Sequence, residues 1–239
     1  MAQQFFIPGE HRAEKVKQLF TIVARRYDLI NDLQSFGLHR YWKRRVIQLS
    51  LPKAGETALD VCCGTGDIAL GLARHGVQTV GLDFNEEMLR VAQSKAQKTE
   101  MTKAIQFVLG DAEAVHFPDN SFDIVTVGYG LRNLSSWEKG LREMQRVAKP
   151  GGRLVVLEFG KPGNPVWLRL YFGYLRFFVP LLGRVFCGNA GAYAYILESL
   201  KNYPAQEGVA VKMRDFGIND VRIINLLGGV MSINYGVKG

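Results

Sequence analysis

The sequence predicts an α/β protein built on a mainly parallel sheet whose last strand runs antiparallel. Three observations carry that expectation. Short apolar runs alternate with helical segments between residues 57 and 158, the pattern of a parallel sheet covered by helices on both faces. A glycine turn, Cys63–Gly64–Thr65–Gly66–Asp67, joins the first run to the next helix, as at the ligand-binding edge of open α/β sheets. The chain closes with two apolar runs, 221–226 and 230–235, separated by Leu227–Gly228–Gly229. That connection is too short to cross over, so these two strands must pair antiparallel.

In chain order, residues 13–49 read as helical with a break near Ser35–Gly37. A buried strand spans 57–62 and a helix opens at 68–74. A second strand (79–83), a helix (86–98), a third strand (106–109) and a fourth (122–127) follow. A helix at 137–147 and the turn Pro150–Gly151–Gly152 lead into a fifth strand at 153–158. The 239 residues suit one domain with a sizeable core. Within it, 1–50 reads as an N-terminal helical lid and 51–160 as a cofactor-binding core. Residues 161–205 form an aromatic helical insertion, and 206–239 the last helix and the strand pair.

Composition is ordinary for a soluble globular protein, 47% hydrophobic and 22% charged. The net charge of +8 points to an anionic partner, nucleic acid or an acidic membrane surface. The positive residues are dispersed, with clusters only at 40–45 and Arg25–Arg26, which disfavours the basic stripe of a nucleic-acid binder. Three cysteines without CxxC or His-x-x-His spacing argue against a disulfide framework and against a metal site. Free thiols fit a reducing compartment. The start, MAQQFFIPGEHRAEK, lacks the apolar core of a secretory signal.

The glycine turn resembles a dinucleotide fingerprint only in part. Gly64 and Gly66 stand two apart, with Ala69 at the third position. Asp67 decides against a pyrophosphate, because a carboxylate there repels phosphate but suits a ligand carrying an ammonium group. S-adenosylmethionine is such a ligand. Asp83, about 20 residues after the turn, fits an acceptor for ribose hydroxyls. Asp111 fits an acceptor for an adenine amine, with Ala112 offering backbone groups. The plain alternatives are a helix cap for Asp83 and a turn for Asp111. The expected cofactor-binding residues from these motifs are Gly64, Thr65, Gly66, Asp67, Asp83, Asp111 and Ala112.

The mixed sheet resembles the Rossmann-like seven-stranded fold of class I methyltransferases. Two further segments are more specific: ARRYDLINDLQSFGLHRYWKR (24–44) and GYGLRNLSSWEKGLREMQRVAKPGGRLVVLEFGKP (128–162). With LDVCCGTGD and GLDFNEEML they make the chain similar, over nearly its whole length, to the ubiquinone/menaquinone biosynthesis C-methyltransferases. Departures include Ile30, Gln34 and Gly160. Gly128 also departs, standing where some members place a serine near the cofactor; it joins the expected cofactor set.

The resemblance implies methylation of a ring carbon of a prenylated quinol in respiratory quinone synthesis, with demethylmenaquinol as the expected acceptor. The alternative acceptor is the methoxy-polyprenyl-benzoquinol of ubiquinone synthesis. Tyr129, Arg132 and Asn133 fall just past the fourth strand, beside the expected methyl group. Arg132 could stabilise a developing phenolate but is too basic to act as a base. His39 is the candidate general base, its alternative being a histidine packed on Trp42. The segment 164–186 carries aromatic residues interrupted by arginines, too often for a membrane span. It reads as a roof over an apolar substrate channel or as a helix lying in the membrane interface, the plain alternative being a buried core helix with a few surface arginines, and Pro180 is expected to end or kink it. The resulting expectation is a cytoplasmic enzyme peripheral to the inner membrane face, without nucleic acid, able to form a homodimer. The competing readings are an RNA methyltransferase, a methyltransferase for a soluble acceptor, a non-catalytic cofactor-binding member of a quinone-synthesis complex and, least favoured, an NAD-dependent dehydrogenase.

Overall fold

The strands fall where apolar β-branched runs lie. They are β1 (Thr57–Val61), β2 (Gln78–Asp83), β3 (Ile105–Leu109), β4 (Phe122–Gly128), β5 (Ala148–Phe159), β6 (Ile218–Leu226) and β7 (Met231–Lys238). In this computed structural model, which describes residues 10–180 and 191–239, they form one sheet in the order β3-β2-β1-β4-β5-β7-β6. β1 to β5 pair in parallel, and β7 runs antiparallel between β5 and β6. Strand order reverses between β1 and β4, and the crevice outside that switch point is where such sheets bind ligands.

The period of two puts alternate residues on opposite faces. Ala58, Ile124 and Val155 join one core with α1 (Glu10–Val23), α2 (Tyr27–Ser35), α3 (Leu38–Leu49) and α4 (Asp67–Ala73). Leu59, Val125, Leu154 and Val156 join the other with α6 (Trp137–Val147) and α9 (Ala205–Asp215). Helices α5 (Glu86–Lys98), α7 (Pro165–Gly173) and α8 (Gly191–Asn202) are the other helices among the described residues. Side-chain caps set several starts. Asn85 accepts from Met88 N at 3.1 Å and opens α5. Asn164 accepts from Val166 N and Trp167 N at 2.9 and 3.0 Å, with Pro165 in the first helical turn, where no N–H is needed.

The sequence expectation and the fold differ in three places. The N-terminal helical stretch breaks twice. Phe36 and Gly37 take the left-handed turn (φ 50° and 76°) where a break was expected. A second break, a 3-10 turn at Ala24–Arg26, has no glycine or proline to announce it. β5 begins at Ala148, ahead of the Pro150–Gly152 turn, so that turn is a register irregularity opposite Phe122 and Ile124. The aromatic insertion is helical through α7 and then widens into a π turn at Tyr174–Phe178, while Pro180 is still helical. The end of that insertion (181–186) and Cys187 lie outside the described residues.

Candidate functional site

Three spaces adjoin beyond the carboxyl ends of β1–β4. One, of about 220 Å³, is lined by Gly64, Asp83, Asp111, Ala112 and Gly128 among others. The turns after four parallel strands therefore converge on it. A larger space of about 350 Å³ lies between α1–α3 and the insertion, lined by residues such as Val23, Ile30, Trp42, Phe159, Tyr171 and Leu175. Phe20, Tyr27 and Tyr129 border both. The third, of about 20 Å³, sits under the glycine turn beside Lys43, Asp60, Thr65 and Asp67.

The first space fits a nucleoside. Gly64 has φ 54°, and a Cβ there would project into open space, which is the cradle that close backbone approach requires. Gly66 (φ 79°) lines none of the three spaces. A Cβ on it would meet Ala92 and Phe107 at 3.0 Å, so its part is to let the turn pack on α5. Asp83 is 5% exposed. Its Oδ2 accepts from Gly64 N at 2.8 Å and its Oδ1 from Asn85 N at 2.9 Å. Burial pushes its carboxyl up to about 6 against those donors, and each oxygen keeps a lone pair for a further donor such as a ribose hydroxyl. Asp111 is exposed and its Oδ1 accepts from Glu113 N at 2.8 Å, so it forms the turn foreseen as its alternative while still lining the cavity.

Thr65 and Asp67 do something else. Thr65 is 2% exposed, and its hydroxyl donates to Asp28 Oδ1 at 2.8 Å and accepts from Lys95 at 3.1 Å. Asp67 takes Lys43 on one oxygen and Lys95 on the other, both at 2.7 Å, and Lys95 also meets Asp28 at 2.5 Å. Burial alone would raise the Asp67 carboxyl, but the two ammonium groups outweigh it and hold the group well below its ordinary value. Burial opposes the Lys43 charge too, and Asp67 more than offsets it. Asp28, Lys43, Asp67 and Lys95 clasp the N-terminal helices onto the glycine turn and α5. Beside them Asp60, 1% exposed, accepts from Ala69 N at 3.1 Å and from Thr126 Oγ1 at 2.7 Å. Burial raises it to about 7. Sequence reasoning passed over Asp28, Lys43, Asp60 and Lys95. Only Asp60 left a sign, as an acid inside an apolar strand.

The expected catalytic residues divide between the spaces. Tyr129 follows β4 with φ 62°, a conformation strained for a non-glycine residue. It stands in the partition between the nucleoside space and the apolar one. Its hydroxyl is buried without a hydrogen-bond partner among the described residues. Arg132 faces the apolar side. Its Nη1 donates to Glu158 Oε1 at 2.6 Å and to Tyr129 O at 2.8 Å, and its guanidinium lies 4.5 Å from the centre of the Phe159 ring. Asn133 lines the nucleoside side, its Nδ2 donating to Tyr129 O at 3.0 Å. His39 lines the apolar space and is 3% exposed. The Ser35 hydroxyl donates to Asn31 O at 2.5 Å, so the 3.0 Å contact between Ser35 Oγ and His39 Nδ1 places the ring proton on Nδ1 and a lone pair on Nε2. Burial, reinforced by Lys43, lowers His39 to about 4.

Comparisons with known proteins identify the family and the fold. The profile of the ubiE/COQ5 methyltransferase family matches residues 9–238. A ubiquinone/menaquinone biosynthesis C-methyltransferase UbiE of Ectopseudomonas mendocina is 43% identical over 235 residues, covering 97% of this chain and 92% of that one. Among solved structures, a SAM-dependent methyltransferase from Aquifex aeolicus superposes with a TM-score of 0.62 at 21% identity, over 90% of this chain and 97% of that one. Haemonchus contortus phosphoethanolamine N-methyltransferase 2, solved with S-adenosyl-L-methionine, gives 0.62 at 17% identity over 83% of this chain and 52% of that one. At these identities the two structures speak to the fold.

Proposed function

The chain belongs to the ubiE/COQ5 methyltransferase family, S-adenosylmethionine-dependent C-methyltransferases of quinone biosynthesis, and from that premise we propose that its acceptor is demethylmenaquinol, bound in the apolar space of about 350 Å³. The observation that carries the reading is the shared partition. Tyr129 borders both the nucleoside cradle and a cavity lined by aliphatic and aromatic side chains, which suits a prenylated ring next to a methyl donor. The cofactor would lie with its ribose on Asp83, its base beside Asp111 and Ala112, and its backbone approach at Gly64 and Gly128.

Bound there, S-adenosylmethionine would supply a methyl group to the acceptor ring carbon, the sulfur keeping the electron pair of the broken S–CH3 bond and the ring giving up one proton in exchange. The chain's residues prepare the acceptor. Arg132, buried and stacked on Phe159, supports negative charge on a ring oxygen while Glu158 fixes its orientation. His39, neutral at physiological pH, presents Nε2 as a hydrogen-bond acceptor and is too weak a base to carry the proton far. The quinol is the reactive form, because a quinone ring is too electron-poor to attack.

Delivery favours the membrane face. No helix among the described residues is long and apolar enough to cross a membrane. Yet α7 buries only Tyr171, while Phe36 (76% exposed), Leu170 (60%), Leu227 (52%) and Trp167 (38%) are exposed and also line the apolar cavity. An apolar rim around a greasy cavity on a chain of net charge +8 suits peripheral contact with an acidic bilayer. The test is methyl transfer from labelled S-adenosylmethionine to demethylmenaquinol, with the oxidised quinone and the benzoquinol precursor in parallel. Label in demethylmenaquinol above the other two is expected. Label confined to the benzoquinol would reassign the acceptor, and label in neither quinol would overturn the reading.

A further inference from the structure

Two residues that line the apolar cavity carry buried hydroxyls with no hydrogen-bond partner among the described residues. The two are Tyr129 and Tyr171. They arrive from different elements, one on the strained turn after β4 and one as the single buried residue of α7. Both hydroxyls lie within electrostatic reach of the same buried pair, Arg132 and Glu158. Burial raises both well above the ordinary tyrosine value, so each keeps its proton and is a donor at physiological pH. A stranded hydroxyl costs stability. Two of them on residues that line one cavity, within reach of a buried guanidinium, are suited to turn toward a partly anionic ring oxygen once a ligand fills the space.

We propose that Tyr129 and Tyr171 form a two-hydroxyl grip, donating hydrogen bonds to an acceptor ring oxygen as it takes on phenolate character next to Arg132. This rests on the quinol reading above and adds the residues that discriminate the ring. Tyr171 gives the aromatic insertion a role in recognising the oxygen as well as in roofing the cavity. Donors fixed in an apolar wall lower the pKa of the bound hydroxyl without reorganising. Each should contribute about 10- to 100-fold to turnover, the range for a hydrogen bond to a charged group.

The test uses Tyr171→Phe and Tyr129→Phe, each deleting one unpartnered oxygen. Tyr203→Phe is the control: the Tyr203 hydroxyl is also buried and unpartnered but does not line this cavity. Melting temperature, cofactor affinity by calorimetry, and kcat and KM for the quinol across pH are read together. The grip predicts that both site variants keep or raise the melting temperature and keep cofactor affinity. It also predicts a roughly 10- to 100-fold loss of kcat/KM, with the acidic limb of the pH profile moved to higher pH. Tyr203→Phe should show the stability effect alone. Activity and pH profile unchanged in Tyr171→Phe and Tyr129→Phe would overturn the grip and leave two merely stranded hydroxyls. A drop in melting temperature with proportionate loss of activity would also overturn it, as structural damage. Failure of the unaltered enzyme to methylate any quinol would remove the acceptor reading and the grip with it, so the two failures are distinguishable.

Discussion

Replacing Lys43 by methionine removes one cation from the clasp that fastens the N-terminal helices to the cofactor edge. Asp67 would keep Lys95 at 2.7 Å, and Lys95 would keep Asp28. The loss is therefore smaller than the roughly 3–5 kcal/mol seen when a buried charge is left without any partner. Methionine also restores most of the apolar stem that Lys43 packs. We expect a loss of about 1–3 kcal/mol, or about 2–4 °C in Tm for each kcal/mol in a chain of this size. Urea melts at a series of pH values are the assay.

The pH dependence carries the stronger inference. Asp67 is held below its ordinary 3.8 in the fold, so its contribution is fully present above that value and disappears as pH falls through the folded pKa. Lys43 is held above its ordinary 10.5, so its contribution is present below that value and disappears as pH rises through the folded pKa. The stability gap between the unaltered enzyme and Lys43→Met should thus be flat from about pH 5 to about pH 9 and close toward acid. Equal stability at neutral pH, or a gap that widens as acid is added, would refute the clasp.

Three further outcomes are expected. Asp83→Asn should weaken S-adenosylmethionine binding by about 10- to 100-fold with the fold retained at a cost of about 1–3 kcal/mol, since the amide NH2 must face one of the two backbone N–H groups that the carboxylate accepts; unchanged calorimetric affinity would remove the ribose role. Arg132→Lys should lower kcat far more than cofactor affinity, because lysine cannot keep both the Phe159 stacking and the fixed pairing with Glu158 and Tyr129 O; loss of cofactor binding instead would take Arg132 out of the acceptor site. His39, lowered to about 4, should contribute no break to kcat/KM between about pH 6 and 8. A break near neutrality that vanishes in His39→Gln would overturn that assignment.

The sheet and the glycine turn were legible because they depend on short-range pattern. The apolar runs at 57–61 and 122–128 and the spacing of Gly64 and Gly66 are local facts. So is the short Leu227–Gly229 link that fixes the antiparallel pair. The clasp was not legible. Asp28, Lys43, Asp67 and Lys95 lie on four separate helices, and no spacing predicts that long surface-type side chains will meet beneath a turn. Tyr171 was hidden for another reason. In a stretch where Trp167, Tyr171, Phe172, Tyr174, Phe177 and Phe178 crowd every face, only the helix placement and the π turn decide which ring points inward. Thr65 shows a motif residue turned to other work: it sits in the glycine turn expected to approach the cofactor, and its hydroxyl is held by Asp28 and Lys95.

Cavity size sets a limit on how the acceptor is held. A space of about 350 Å³ lies near the lower end of the roughly 300–1,000 Å³ of small-molecule sites, enough for a bicyclic ring and the first part of a prenyl tail. The remainder must leave over the rim of Phe36, Trp167, Leu170 and Leu227, where side chains are exposed. Fully buried methylenes are worth about 0.8 kcal/mol each. Each added isoprene unit that stays inside should therefore raise kcat/KM by more than about tenfold, whereas units beyond the rim should add little in lipid-free buffer. Acceptors with one, two, three and four isoprene units, assayed in monomeric solution, should show a steep rise followed by a plateau after the first one or two. Anionic vesicles should then restore a tail-length dependence. A rise that continues unbroken without lipid would mean that the tail is held along its length by protein, and that the exposed rim has no part in receiving it.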